Sequence, residues 1–345
     1  MVRLPEDAFQ HTSALVAVGM HELYERISQR LVGRREEVMV ILAALQTGRN
    51  VFLEGPPGTS KSTMLKAVVD EIGRPFYWVT GNSDLTATKL LGYFDPALVL
   101  SEGYRPEHFE YGALTLAMKE GGILYVEEFN RLPDDTSNVF VTAMSERAIP
   151  VPRLGTVKAR PDFCVVASLN PYDDIGTLRI SRALRDRFCS MWMDYQVKDE
   201  EKEIVSRQIA GGPALCGPAL SWFDLPSLID LSVELCRRTR KHDDIHLGAS
   251  VRGAIDMTLV AMQLLVNNIG GTGQRDRSAL IRMAAHAALR DKIRLNDVSE
   301  RKVDDVIDDI WAAIASELSI DDDKFWQADW QDALKKKPQA VRLTS

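Results

Sequence analysis

No run in the 345 residues approaches the roughly 20 uninterrupted apolar residues that a membrane-spanning helix needs. Glu6, Asp7 and the polar residues after them leave no secretory apolar region near the start, so a cytoplasmic protein is expected. An excess of positive charge is also missing: 42 Lys and Arg face 49 Asp and Glu, a formal net charge of -7. Proteins that draw their main affinity from a phosphate backbone run strongly basic, so this balance argues against nucleic acid as the principal partner. Cysteine is scarce. Cys164, Cys189, Cys216 and Cys236 stand far apart, mostly in apolar runs, as small buried thiols do and as a disulfide frame or zinc knuckle does not. The absence of H-E-x-x-H, of paired C-x-x-C and of G-x-S-x-G removes support from the enzyme classes those motifs mark.

What is present suffices for a full core, since 45% of residues are hydrophobic and 26% charged, enough for one large or two modest domains. From Ser13 to Leu45 apolar residues recur at helical spacing, with a turn at Leu31-Val32-Gly33-Arg34. Five short runs rich in β-branched and aromatic residues follow: Val51–Leu53, Phe76–Val79, Ile123–Val126, Phe163–Ala167 and Met191–Met193. Helical segments such as Thr63 to Ile72 and Thr136 to Glu146 separate them, which predicts an α/β fold with a mainly parallel five-stranded sheet between helices. From Asp199 the period becomes helical throughout, over Glu200–Ile209, Leu228–Arg240, Ser250–Val266, Ser278–Arg290 and Val298–Leu318, predicting an all-α domain. The loop Gly270–Gly273 separates two of these helices. The division expected is 1–30 helical lead-in, 31–197 α/β core, 198–318 helical lid and 319–345 tail. The tail carries Trp326, Trp330 and Lys335-Lys336-Lys337 and reads as a docking segment or a loosely ordered terminus.

The chemistry concentrates in two runs. Gly55-Pro56-Pro57-Gly58-Thr59-Ser60-Lys61-Ser62 follows a strand and enters a helix near Thr63, so successive backbone amides converge on phosphate oxygens. Lys61 would reach the β- and γ-phosphates and the Ser62 hydroxyl would ligate Mg²⁺, which makes ATP and Mg²⁺ the expected cofactors. Ser60 occupies the place of the final glycine of the strict pattern. The second run, Ile123–Val126, ends in Glu127-Glu128, two carboxylates at the carboxyl edge of a sheet, where ligands of such folds bind. Glu127 would hold the Mg²⁺ shell and Glu128 would polarise a water for in-line attack on the γ-phosphate. Glu127 stands where aspartate is usual.

With these runs, Leu31-Val32-Gly33-Arg34, Glu54–Thr59, Glu127–Pro133 and Ala167-Ser168-Leu169-Asn170-Pro171 resemble a MoxR-type AAA+ ATPase, similar to the CbbQ/NorQ-like branch, over about Leu31 to Leu318. The resemblance adds Val32, Gly33 and Thr63 to the nucleotide-binding set and makes Asn170 sensor 1, orienting the attacking water beside Glu128. Asn170 also reads as a cap on the loop before Pro171. In Ser181-Arg182-Ala183-Leu184-Arg185-Asp186-Arg187-Phe188 the resemblance points to Arg187, then Arg185, as the arginine finger given to a neighbouring subunit, against an ordinary ion pair. Arg252 resembles sensor 2, against an ordinary charge in a first helical turn. Leu90–Tyr111, with Tyr93, Phe94, Tyr104 and Phe109, and Ala148–Lys158 resemble the family's hairpin insertions, facing a pore or client or packing on their own domain.

The resemblance implies a homo-oligomeric ring, expected to be a hexamer, acting as an ATP-hydrolysing remodelling chaperone on a client protein with a VWA-domain partner. Two rivals remain, an ATP-gated scaffold with weak hydrolysis and a DNA-remodelling AAA+ protein. His242-Asp243-Asp244-Ile245-His246 reads as a loop, with a metal site as its alternative if helical, and Arg237–Lys241 before it as a solvated helix end.

Overall fold

In the computed structural model, residues 20–172, 180–211, 224–267 and 277–318 are described. Residues 13–19 of the lead-in, Cys216, the Gly270–Gly273 loop and the 319–345 tail lie outside them. Two compact units divide the chain, Met1–Asp194 and Tyr195–Ser345.

The first described element of the first unit is α1 (Met20–Arg30), whose Leu23 and Ile27 are buried one turn apart. A turn with φ of 68° at Gly33 and 65° at Arg34 leads into α2 (Arg35–Gln46), which buries Val38, Ile41, Leu42 and Leu45 at helical spacing. The sheet starts with β1 (Asn50–Glu54), followed by α3 (Lys61–Ile72) and β2 (Phe76–Thr80). The spacing predicts a start for α3 near Thr63; the helix begins two residues earlier, so Lys61 and Ser62 form its first turn, where N–H groups lack intrahelical partners.

Next comes α4 (Ala87–Leu91), capped by the Thr86 hydroxyl, and then a small insertion. It comprises β3 (Gly92–Phe94), α5 (Pro96–Glu102), which begins at an Asp95 cap, and β4 (Phe109–Tyr111), antiparallel to β3. Its aromatics divide. Phe109 is buried and Phe94 packs edge-on to Phe109 and Tyr104, whereas Tyr93, Tyr104, Leu98 and Leu100 are exposed. α6 (Ala113–Glu120) leads to β5 (Ile123–Glu127), α7 (Asp134–Glu146) and the hairpin of β6 (Ala148–Val151) and β7 (Gly155–Lys158). β8 (Cys164–Leu169), the short α8 (Arg182–Arg185) and β9 (Phe188–Trp192) complete the unit.

The five parallel strands lie in the order β2-β5-β8-β1-β9. One face of the sheet packs on α1, α2 and α3 through Val51, Leu53, Ile123, Tyr125 and Val166. The other packs on α6, α7 and the hairpins through Phe52, Leu124, Val126, Val165 and Ala167. Covering on both faces accounts for the continuously apolar central strands, and β8 is buried along its whole length. β9 is an edge strand, and there Cys189 is exposed, against the expectation of a buried thiol; Cys164 and Cys236 are buried.

The second unit is built from α9 (Lys198–Ala210), α10 (Leu225–Thr239), α11 (Val251–Asn267), α12 (Arg277–Leu289) and α13 (Val303–Leu318). It is helical but not wholly so, since β10 (Ile245–Leu247) and β11 (Arg294–Leu295) form an antiparallel pair. α13 starts five residues later than the apolar spacing predicts. Asn296, Ser299 and Arg301 bond to the Asp244 turn and to one another, and Val298 is 90% exposed, so local polar bonds win over the pattern. His242 lies in a turn and His246 in β10, so they do not share a helical face. Among the described residues no group of His, Cys, Asp and Glu is placed to hold a metal, and no helix is long and apolar enough to cross a membrane.

The basic run ending α10 is not simply a solvated helix end. Glu201 of α9, 2% exposed, accepts an ion pair from Arg237 at 3.0 Å and from Arg240 at 2.7 Å, and Arg240 also lies 3.8 Å over the Tyr195 ring. Removing this carboxylate would strand two guanidinium groups that are largely withdrawn from water. Glu201→Ala is expected to destabilise the protein by about 3 kcal/mol, measured by chemical denaturation, with Glu201→Gln intermediate.

Candidate nucleotide site

Strand register brings the two motif runs to one edge. β8 lies between β1 and β5, with Leu169 opposite Glu54 and Ala167 opposite Val126. Three adjacent parallel strands therefore end side by side at Glu54-Gly55, Glu127-Glu128 and Asn170. Parallel strands leave a crevice outside their carboxyl ends, and the loop into α3 rises from its β1 side.

The loop itself is held in a form few residues tolerate. At Gly55, with φ of 153°, a Cβ would lie 2.1 Å from the Met193 carbonyl, so only glycine lets β1 turn under the end of β9. Ser60 is the N-cap of α3 with φ of 65°, the left-handed conformation that the glycine of the strict pattern adopts freely. Lys61 follows, and its ammonium donates to the Gly55 carbonyl at 2.8 Å, the Pro56 carbonyl at 2.7 Å and Thr59 Oγ1 at 3.2 Å. The positive group is thus kept at the mouth of the loop, above the first N–H groups of α3. A positive charge beside the N–H groups of a helix N-terminus suits a polyphosphate.

Two oxygen-bearing side chains meet beside it. Ser62 Oγ donates to Glu127 Oε1 at 3.1 Å, joining the first turn of α3 to the end of β5. A hydroxyl and a carboxylate are hard oxygen donors, the set that suits Mg²⁺. The longer glutamate side chain spans this gap in full contact with the serine. Glu128, the next residue, has φ of 52° and caps a short 3₁₀ turn over Phe129–Arg131. Its carboxylate forms an ion pair with Arg131 Nε at 3.3 Å. A non-glycine residue held at positive φ costs on the order of 1–3 kcal/mol, which the surrounding packing must sustain.

Beneath the pair, Tyr125 of β5 bonds to Ser168 of β8 at 2.9 Å. Burial raises the Tyr125 phenol well above its usual range; the Ser168 bond opposes this and the Glu127 charge adds to it, so the group stays protonated at neutral pH.

The other expected site residues fall into distinct places. Val32 and Gly33 lie on the turn before α2, and Arg34 ties that turn to the loop. Its guanidinium donates to the Thr59 carbonyl at 3.1 Å, to the Asp194 carbonyl and to Glu37 at 2.7 Å. Thr63 is exposed in the first turn of α3. Asn170 Oδ1 accepts from the Tyr172 N–H at 3.1 Å, so the loop-capping role is realised through the carbonyl end of the amide.

Arg185 and Arg187 separate clearly. Arg185 bonds to Glu54 at 2.8 Å, within its own chain and next to the loop. Arg187 lies at the opposite end of the sheet, because its carbonyl accepts from Asn50 Nδ2 at 3.2 Å and Phe188 pairs with Asn50. One strand of five residues, about 16 Å, separates that end from Gly55. The Arg187 side chain donates to Ser145 of α7 and to the Ala183 carbonyl. Arg252 is exposed in the first turn of α11, in the second unit.

Three contributors are not apparent from the motifs. Arg34 and Ser168 stand inside the Leu31–Arg34 and Ala167–Pro171 runs without a role of their own there, and Tyr125 is only a polar atom inside an apolar strand run. Gly81 is a fourth, since a Cβ there would lie 2.4 Å from the Glu128 carbonyl, and its N–H donates to the Glu127 carbonyl at 2.7 Å. It follows a strand by one residue, the single cue available.

Residues 50–188 match the family model of the AAA domain (dynein-related subfamily). The uncharacterized protein YeaC of Bacillus subtilis is 28% identical over 252 residues, covering 69% of this chain and 76% of that protein. The gas vesicle ATPase GvpN of Haloferax mediterranei is 27% identical over 234 residues, covering 63% of this chain and 64% of that protein, so the chain spans just under two thirds of its length. A mutant RuvB of Thermotoga maritima superposes with a TM-score of 0.46 at 18% identity, covering 74% of this chain and 71% of that chain. With its sheet order and helical second unit, the fold is that of a P-loop AAA+ protein.

Ser60→Gly is expected to raise stability by about 0.5–1 kcal/mol in denaturant titration, as the relief of left-handed strain exceeds the added chain entropy, without loss of nucleotide affinity.

Proposed function

We propose that this protein is a ring-forming, MoxR-like ATPase that uses ATP turnover to remodel and activate or mature a client protein, with a VWA-domain protein as its partner. The observation that carries the ATPase reading is the bond of Ser62 to Glu127, with Glu128 as the next residue. A metal-ligating pair and a second carboxylate beside a phosphate loop form a hydrolytic constellation. A relative described as a gas vesicle ATPase supports hydrolysis as the general activity.

In this reading Lys61 and the amides of Gly58 to Thr63 bind the phosphates. Val32 and Gly33, held to the loop by Arg34, flank the rest of the nucleotide. Glu128 takes the proton of the attacking water, and the Asn170 amide orients that water. Ser62 and Glu127 would hold Mg²⁺, and the charge neutralisation it would supply belongs beside Lys61 at the phosphates. Arg252 is read as the lid's sensor of the γ-phosphate.

Arg187 is read as the finger that serves a neighbouring subunit. Its place at the far end of the sheet from its own Gly55 supports action in trans, in a hexameric ring. Arg185, occupied by Glu54 of its own chain, suits that task less well. The exposed Leu98, Leu100, Tyr93 and Tyr104 of the β3-to-β4 insertion support contact with a client.

A second reading, an assembly switch with weak hydrolysis, draws on the pairing of Glu128 with Arg131, which engages this carboxylate within its own chain. Turnover that no partner stimulates, with function intact in Glu128→Gln, would favour it.

Two substitutions test the catalytic assignment. Glu128→Gln is expected to bind ATP with unchanged affinity while phosphate release falls at least about 100-fold. Wild-type turnover in the purified variant would sink the role given to Glu128. Arg187→Ala is expected to keep ATP binding and lose about 10³-fold in turnover, with activity recovered in mixed rings that pair intact fingers with intact sites.

A further inference from the structure

The proposed chemistry uses Arg34 only as a tie to the turn before α2, yet it is a costly residue to place there. Its φ of 65° is one that glycine adopts freely and other residues rarely do. The residue is 8% exposed, and its Nε has no acceptor among the described residues. A buried charge with an unmet donor lowers stability, so the guanidinium is explained by what its other nitrogens reach. Nη1 donates to Glu37, in the first turn of α2, at 2.7 Å. Nη2 donates to two backbone carbonyls, that of Thr59 at 3.1 Å and that of Asp194. The Asp194 end is itself fixed, since the Met193 N–H before it donates to the Glu54 carbonyl at 2.7 Å.

Anchored on a helix and at the end of a strand, the fork sets where the Thr59 carbonyl points. A peptide unit is planar and trans, so its C=O and N–H face opposite ways. The Thr59 carbonyl and the Ser60 N–H share one such unit. With the carbonyl turned to Arg34, the Ser60 N–H is turned away from it, and among the described residues nothing accepts from that N–H. The Thr59 hydroxyl is tied within the loop, to the Pro56 carbonyl at 3.0 Å, but a side-chain bond does not fix the plane of the next peptide. Were that plane to turn over, a carbonyl oxygen would replace the N–H and would repel an anion.

We propose that Arg34 is a positioning residue for the phosphate loop: by holding the Thr59 carbonyl from outside, it presents the Ser60 N–H to a phosphate oxygen. The proposal rests on the reading of this loop as a phosphate site. Such a grip acts on the phosphates alone, which separates it from any effect of Arg34 through Val32 and Gly33. One hydrogen bond to a charged acceptor corresponds to about 10- to 100-fold in affinity. An amide that is released but can still turn back belongs at the lower end.

The test is displacement of a ribose-labelled fluorescent ADP from the full chain by ADP and by pyrophosphate, at constant ionic strength and in EDTA, so that the metal pair plays no part. Arg34→Met keeps the stem and removes the donors. Both competitors are expected to weaken by the same factor, about tenfold. Arg34→Lys, with one nitrogen to donate where Nη2 stood, should recover most of that loss for both. A weaker ADP with unchanged pyrophosphate overturns the proposal, since Arg34 then acts through the turn beside the base. Unchanged affinity for both overturns it and leaves the nucleotide site intact. A loss in Arg34→Lys as large as in Arg34→Met overturns it in favour of a packing role. If wild type binds neither the labelled nucleotide nor ADP, the site reading fails and the proposal with it. Should Arg34→Met not fold, Arg34→Gln, whose amide can donate to one carbonyl, decides the matter by the same comparison of ADP with pyrophosphate.

Discussion

The hydrogen bond from Ser62 to Glu127 is the contact on which the rest of the α/β unit converges. It requires the first turn of α3 to begin at Lys61, β5 to end level with it, and β8 to stand between β1 and β5. Each condition has a separate origin. The helix start follows from the left-handed Ser60, the strand end from the tight approach of Gly81 to the Glu127-Glu128 backbone, and the place of β8 from its burial on both faces. A one-residue slip of β5 would turn Glu127 to the other face and bring Glu128 into its place.

Such an edge is costly to maintain. Ser60 and Glu128 both sit at positive φ, Gly55 is pressed against Met193, and an arginine side chain is buried at Arg34 to hold the loop to the preceding turn. The two apolar layers supply what sustains this strain, since each buries apolar side chains from β1, β5 and β8. Strain and core are therefore parts of one arrangement: rigid strands beneath, and a loop above them that cannot relax without separating Ser62 from Glu127.

Much of this is legible in the residues. Apolar runs locate four of the five strands and only the end of β9, which starts at Phe188, three residues before its Met191–Met193 run, and the glycine-proline loop and the acidic pair announce themselves by their flanks. What escapes is what depends on a third dimension. Gly81 has no pattern around it, and its role appears only when β2 and β5 are paired. Tyr125 reads as one more large residue in a strand, because periodicity carries no information on where a hydroxyl points. The basic run at Arg237–Lys241 looks solvated until Glu201, 36 residues from Arg237, closes on it. The start of α13 fails for the opposite reason, as Asn296 and Ser299 bond locally to the Asp244 turn and outweigh the apolar spacing.

The edge position of β9 leaves the Cys189 sulfur exposed two residues from Arg187, while Cys164 and Cys236 are sealed in cores. A subunit docking over Arg187 would cover that sulfur. In the ring proposed for this protein, its rate of alkylation would fall as subunits dock, read by mass without a nucleotide or a partner.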